Sequence, residues 1–436
     1  VRARLSSALE VLALIVALLA VAWGPLAQGS TFWWGMAGLT LLGSTALALA
    51  LVAASVRGRA TVGQPLWVLA AVAFLGWIWA STTWAADTIE AQRWAGVWTC
   101  VIGTALALHL TATTRARQNA VLSVTLLTAG AAVVVGVMQA RGVTVPGFQA
   151  LDGTPEKYLT GPYFHPSHFS GYLIMPAALV STILLCTRPG WHTLPLLALG
   201  AGVQVLNLHT DGSSIPAVML AALLPLVVWA YTKRVWFGVL LTVLAVAGGL
   251  SVGWLLETPQ GQAQFAAYKD RVGIKSQSLE GFLEIRHAIH YFPYQVWKAH
   301  PERGVGVAQF PTEFSPYRRA KNTVPGSVDQ LFVNYAHSDY YQILAELGTP
   351  GLALFLLTLL TSVLRGARDV AALAWSSALL ALAFTGFYDS HLTAIPGTML
   401  AAFALGGVPS LPTRRARVLE QAPPPAVDAQ PEAEPG

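Results

Sequence analysis

Charge is what this sequence has least of. Of its 436 residues only 11% are Asp, Glu, Lys or Arg, while 54% are hydrophobic; a soluble domain carries about 25% charged residues. That shortage argues against an ordinary soluble enzyme. It also argues against a nucleic-acid partner, because the net charge of +5 is spread over short connections. Cysteine is scarce as well. Cys100 and Cys186 both fall in apolar runs, where they read as small buried hydrophobes rather than a disulfide framework. There is no P-loop, no GxSxG and no HExxH, which sets aside the chemistries those motifs carry. No repeat of fixed period is present.

What the sequence has in abundance is apolar length. Runs near 20 residues, enough to cross a hydrocarbon core of about 30 Å, recur at 8–27, 33–56, 65–84, 93–113, 119–140, 163–187, 193–209, 214–232, 235–256, 341–364, 371–388 and 392–409. The pattern predicts an all-α, polytopic integral membrane protein of twelve helices. The first run is long for a signal peptide, and a retained helix is expected there. The connections alternate in kind. One set holds Arg2/Arg4, Arg57/Arg59, Arg115/Arg117, Arg188, Lys233/Arg234, Arg365/Arg368 and Arg414/Arg415/Arg417; the other holds Asp87, Glu90, Asp211 and Asp389, with Arg93, Arg141 and Lys157 as its main basic residues. By the positive-inside rule the first set and both termini are cytoplasmic. The expected organisation is nine helices over 1–256, a large extracytoplasmic loop at 257–340, three helices over 341–412, and a disordered, proline-rich cytoplasmic tail at 413–436.

The long loop is the one sizeable stretch too polar for the bilayer, so any chemistry is expected there. Within it, Phe282, Ile285, Ile289, Phe292 and Val296 recur at helical spacing, with Pro293 expected to kink or divide the helix. The ERGVGVAQF segment reads as a glycine turn that brings backbone close to a neighbour. Asp339 with Gln342 resembles a capping box at the start of the next helix. That helix must recruit part of QILAELG to span, with Pro350 as a kink, which sets His337 within about a turn of the outer surface.

Arg286 and His337 head the candidate residues. An arginine offers a planar fork of donors to phosphate oxygens, and a neutral histidine accepts a proton from an attacking hydroxyl. The same two residues also fit a surface arginine and a capping histidine. His165/His168 and His287/His290 have spacings open to a metal pair or to the polar lining of a substrate cavity, and the lack of accompanying ligands favours the lining. The Asp211-Gly-Ser-Ser turn and the loop aromatics, which suit sugar stacking or an interfacial belt, are similarly two-sided. A twelve-helix transporter is the rival architecture, although its long connection would be expected mid-chain and inside.

Three segments resemble the O-antigen ligase and O-antigen polymerase superfamily. GPYFHPSHFSGYLIM (Gly161 to Met175) is similar to a family segment with His168, Phe169, Gly171, Tyr172 and Leu173 in register. Arg286…Trp297…His300-Pro301…Gly304-Val-Gly306…Phe310 resembles its Arg…Trp…Pro-x-x-Gly-x-Gly…Phe signature. AHSDYYQILAELGTPG is similar to a third motif through His337, Asp339, Tyr340, Gln342, Glu346 and Gly348. The resemblance implies a bacterial cytoplasmic-membrane glycosyltransferase whose site faces outside. It would move a glycan from undecaprenyl diphosphate to a lipid A core sugar or to a second lipid-linked glycan. It implies His337 and Arg286 as catalytic residues. Arg303, Arg318, Arg319, His168, Asp339, Tyr340 and Glu346 would bind substrate. No cofactor or metal is implied. The non-enzymatic alternative is a transporter or flippase for the same lipid-linked glycan. One departure stands out: Asp211-Gly-Ser-Ser214 replaces the family's Ser-Arg-Gly, removing one expected phosphate contact.

Overall fold

A computed structural model describes residues 1–58, 62–148, 159–188, 190–207, 210, 279–318, 333–364, 370–387 and 389–409, with backbone alone at 192 and 279–288. Regular structure among the described residues is helical throughout. The helices are α1 (Arg2–Leu26), α2 (Trp33–Arg57), α3 (Pro65–Ser81), α4 (Thr88–Thr111), α5 (Arg115–Ala140), α6 (Pro166–Cys186), α7 (Leu194–Asn207), α8 (Leu279–Ala299), the single turn α9 (Phe310–Glu313), α10 (Asp339–Val363), α11 (Val370–Thr385) and α12 (Pro396–Gly407). Six of these, α1, α2, α4, α5, α6 and α10, are long and apolar enough to cross a membrane; α3, α7 and α11 are shorter apolar helices. The expected spans at 214–232 and 235–256 lie outside the described residues, as does the tail.

Helix ends follow local chemistry. α4 begins at Thr88, about a turn before the expected 93, because the Asp87 carboxylate accepts from the backbone N–H groups of Ile89 and Glu90. α2 stops where Gly58 turns left-handed (φ 75°). α12 is shorter than the expected span 392–409, since Leu392 and Thr393 are tied into a turn by Asp339.

The core is built around α4, α6 and α12, with α12 buried along its whole length. Hydrophobicity alone does not hold helices together in lipid, so close backbone approach matters. Gly24 of α1 faces Gly397 of α12, Gly43 of α2 faces Cys100 of α4, and Gly407 faces Ala105; a Cβ on Gly397 or Gly407 would lie 2.3 Å from a carbonyl group across the contact.

Two faces are distinguishable. On one, Arg57 and Arg117, which charge alternation assigns to the same side, both pair with the largely buried Glu10 of α1. Here too His109 Nδ1 meets the Gly407 carbonyl and Gln118 donates to the Pro409 carbonyl. On the other face the α3–α4 connection meets the segment after α8: Gln309 accepts from the Asp87 N–H at 2.7 Å, and Val307 N–H donates to Ser81. The segment around α8 carries its own small core of Ile289, Phe292, Val296, Val305, Phe310 and Phe314. α8 continues through Pro293 and is not divided there.

Candidate active site

The site is assembled on a break in α10. At Gly348 the backbone leaves helical geometry (φ 68°, ψ −172°), so the helix is two segments joined at this residue; the expected kink at Pro350 lies two residues earlier. Pro350 sits at the start of the second segment, where its missing N–H costs nothing. A break inside a helix long and apolar enough to span a membrane frees backbone carbonyls that must find donors, and the glycine turn supplies two of them. Val305 N–H donates to the Ala345 carbonyl at 3.1 Å and Gly306 N–H to the Glu346 carbonyl at 2.8 Å. Trp77 Nε1–H donates to the Leu347 carbonyl at 2.8 Å. Gly304 and Gly348 allow this approach: a Cβ on Gly304 would meet Glu346 backbone at 2.3 Å, and one on Gly348 would meet Arg303 N at 2.7 Å. The glycine turn expected from sequence therefore packs on the helix of the third motif. Gly348 is confined to a region that non-glycine residues occupy at a cost of about 1–3 kcal/mol. Gly348→Ala is expected to lower the midpoint of thermal unfolding in detergent by several degrees; an unchanged midpoint would show that the break relaxes without cost.

Side chains extend the same scaffold. Gln342 accepts from Ala336 N–H at 2.6 Å and donates to Glu346 Oε1 at 2.6 Å, and that carboxyl also accepts from Phe310 N–H. The capping residue of α10 is Ser338, not Asp339: Ser338 Oγ accepts from Tyr341 N–H and donates to the Gly386 carbonyl. Asp339, fully buried, points instead to the α11–α12 connection. Its Oδ1 accepts from Leu392 N–H at 2.9 Å and from Thr393 Oγ1 at 2.7 Å. Tyr340 donates to the Ala383 carbonyl of α11 and packs on Phe387. Asp339, Tyr340 and Glu346 thus spend their polar atoms inside the protein.

His337 stands at the head of this scaffold in a left-handed conformation (φ 50°), uncommon for a residue other than glycine and a recurrent feature of functional sites. Its carbonyl faces His290 Nε2 at 3.1 Å. Its Nδ1 lies 3.3 Å from Asp389 Oδ1, which also accepts from Ser390 N–H at 2.9 Å. His391 Nε2 lies 3.7 Å from the other oxygen of the same carboxylate. Tyr335 packs against the His337 ring at a centroid distance of 4.4 Å and places its hydroxyl 3.3 Å from His168 Nε2. His168 enters from the first turn of α6, capped by His165, whose Nδ1 accepts from Ser167 N–H. Three motifs far apart in sequence therefore converge on one histidine-rich corner.

The arginines are distributed differently. Arg303 is exposed and lies over Trp84, and Arg318 lies over Phe314. Arg286 is on α8 with its side chain outside the described residues, as is that of His287; Arg319 and Asp211–Ser214 lie outside them altogether. Asp389 and His391 are not among the candidate site residues of the sequence, where Asp389 reads as an outward charge and as a Tyr-Asp pair without the partner an intramembrane aspartyl protease needs. The available signal was an Asp-x-His spacing in one of the few polar connections. Among the described residues no group of three or more His, Cys, Asp or Glu is arranged to hold a metal ion.

No curated protein matches the chain. A family model described as O-antigen ligase matches residues 196–356, a stretch that includes α8, the glycine turn, His337 and the broken part of α10, and stops short of Asp389. Over that stretch the chain carries a domain similar to O-antigen ligase, set among described helices of which six are long and apolar enough to cross a membrane.

Proposed function

We propose that the protein transfers a glycan from undecaprenyl diphosphate to an acceptor sugar hydroxyl at the outer face of the bacterial cytoplasmic membrane, as a ligase or polymerase of the O-antigen ligase/polymerase superfamily. The observation that carries the reading is the His337–Asp389 pair, in which His337 comes from the matched domain and Asp389 from the connection between α11 and α12. With Nδ1 held on Asp389, Nε2 is the nitrogen that takes the acceptor proton, the arrangement by which a carboxylate orients a general base. The acceptor oxygen bonds to the anomeric carbon as that carbon's bond to the diphosphate oxygen breaks. The electron pair leaves with undecaprenyl diphosphate, and the proton stays on His337 until released to solvent.

Diphosphate is already a good leaving group, so the site chiefly has to neutralise charge and supply a base. In this reading Arg286 clamps the diphosphate, aided by Arg303, Arg318 and Arg319, while His168 and Tyr335 line the acceptor side. Asp339, Tyr340 and Glu346 position the site from within, as their buried contacts favour. Residues 257–340 act as the catalytic loop between membrane helices, with both termini cytoplasmic. No metal takes part.

Purified protein given a lipid-diphosphate glycan and an acceptor is expected to form product, with EDTA present or absent. Donor consumption should require acceptor. Activity lost with EDTA and restored by a divalent ion would overturn the metal-free mechanism. Glycan that crosses a liposome membrane without ever being transferred would establish a transporter instead.

A further inference from the structure

Asp389 is gripped from two sides, and only one side is used by the chemistry above. We propose that His391 is a positioning residue: it holds the outer oxygen of Asp389 so that the inner one stays on His337. The inference rests on His337 acting as the base.

The geometry of His391 is imposed by three separate elements. Its Nε2 faces Asp389 Oδ2 at 3.7 Å, while Asp389 Oδ1 faces His337 Nδ1 at 3.3 Å, so each carboxylate oxygen meets one imidazole. The two residues after it are fixed by Asp339, whose Oδ1 binds Leu392 N–H and Thr393 Oγ1. On the third side the ring occupies space that exists only because residue 171 of α6 is glycine. A Cβ there would fall 2.2–2.5 Å from three ring atoms of His391. Gly171 has ordinary helical backbone within α6, so left-handed freedom does not explain it; the room for His391 does. His391 is only 4% exposed, and its neighbours include His168, which lies within electrostatic range of both His391 and Asp389. At 3.7 Å the buried imidazole stands beyond hydrogen-bond length but within electrostatic reach of the partly buried carboxylate, and its bulk limits rotation of the carboxylate on that side. Without it, Asp389 is free to turn toward solvent and His337 loses its orienting partner.

The test reads His337 directly. Carbethoxylation of His337 by diethyl pyrocarbonate is followed by peptide mass spectrometry in the full-length protein, with the exposed His300 as internal control. His391→Leu is expected to change the His337 rate about tenfold, the scale of removing one partner from a buried polar group, and to lower transfer turnover by a similar factor with donor affinity retained. His391→Gln, which keeps a donor near the Nε2 position, should recover most of both. Gly171→Ala should reproduce the loss in the wild-type background and add nothing in a His391→Ala background, where the ring is gone. Wild-type His337 reactivity in His391→Leu would overturn the inference, as would an equal Gly171→Ala penalty in both backgrounds. If His337→Ala left transfer intact while the reactivity coupling persisted, the proposed base would fall and the positioning contact would stand.

Discussion

His337→Ala is expected to reduce the single-turnover rate of glycan transfer by about 100- to 10,000-fold, the range contributed by one positioned base, with donor affinity nearly unchanged. The separation follows from position. His337 sits at the head of α10, its Nδ1 on Asp389 and its ring against Tyr335, so as the proposed base it would take the acceptor proton on its other nitrogen. A base strengthens its interaction mainly as the proton moves, which lowers the transition state and leaves ground-state binding alone. Asp389→Asn should lose turnover in the same direction, because an amide cannot stabilise the imidazolium that forms. The measurement is donor binding and single-turnover rate in one preparation. A loss of donor affinity as large as the loss of rate would make His337 a diphosphate ligand and require another base.

Arg286→Ala is expected to weaken donor binding and to lower turnover by about 100- to 1000-fold, the cost of removing one oriented electrostatic contact from a developing anion. A phosphate clamp acts on the bound donor and on the departing diphosphate alike, so both quantities should move. Arg286→Lys should rescue only in part, since a point charge lacks the planar fork that meets two phosphate oxygens. Raised salt should weaken the wild-type donor interaction more than that of Arg286→Ala if the contact is partly solvated. Full activity in Arg286→Lys would show that charge suffices and geometry does not matter. Normal donor binding in Arg286→Ala would move the clamp to Arg303 or Arg318.

The sequence by itself determined the helical membrane class, because apolar runs of spanning length have no other stable form in a bilayer. Charge alternation also sorted Arg57 and Arg117 to one side, since charge is costly to move across lipid, and those two meet at Glu10. The glycine turn at 304–306 was legible for a local reason, a run of residues tolerating positive φ, and His337 was legible through its motif. What the turn packs against was not. Pairing of its amides with the Ala345 and Glu346 carbonyls depends on a helix break at Gly348, whereas the proline beside it was the stronger local signal. Likewise the polarity of Asp339 pointed outward in the sequence, to a cap and to substrate, yet the fold turns it inward to bind Leu392 and Thr393. Asp389 and His391 offered only a weak signal, the Asp-x-His spacing. They lie in a short connection about fifty residues beyond His337, and only the packing of α6, α10 and α11 brings the Asp389 carboxylate to His337 with His391 on its other oxygen. Periodicity and charge act along the chain and can be read there; the partners of a buried polar group are set by which helices meet, and that is decided in three dimensions.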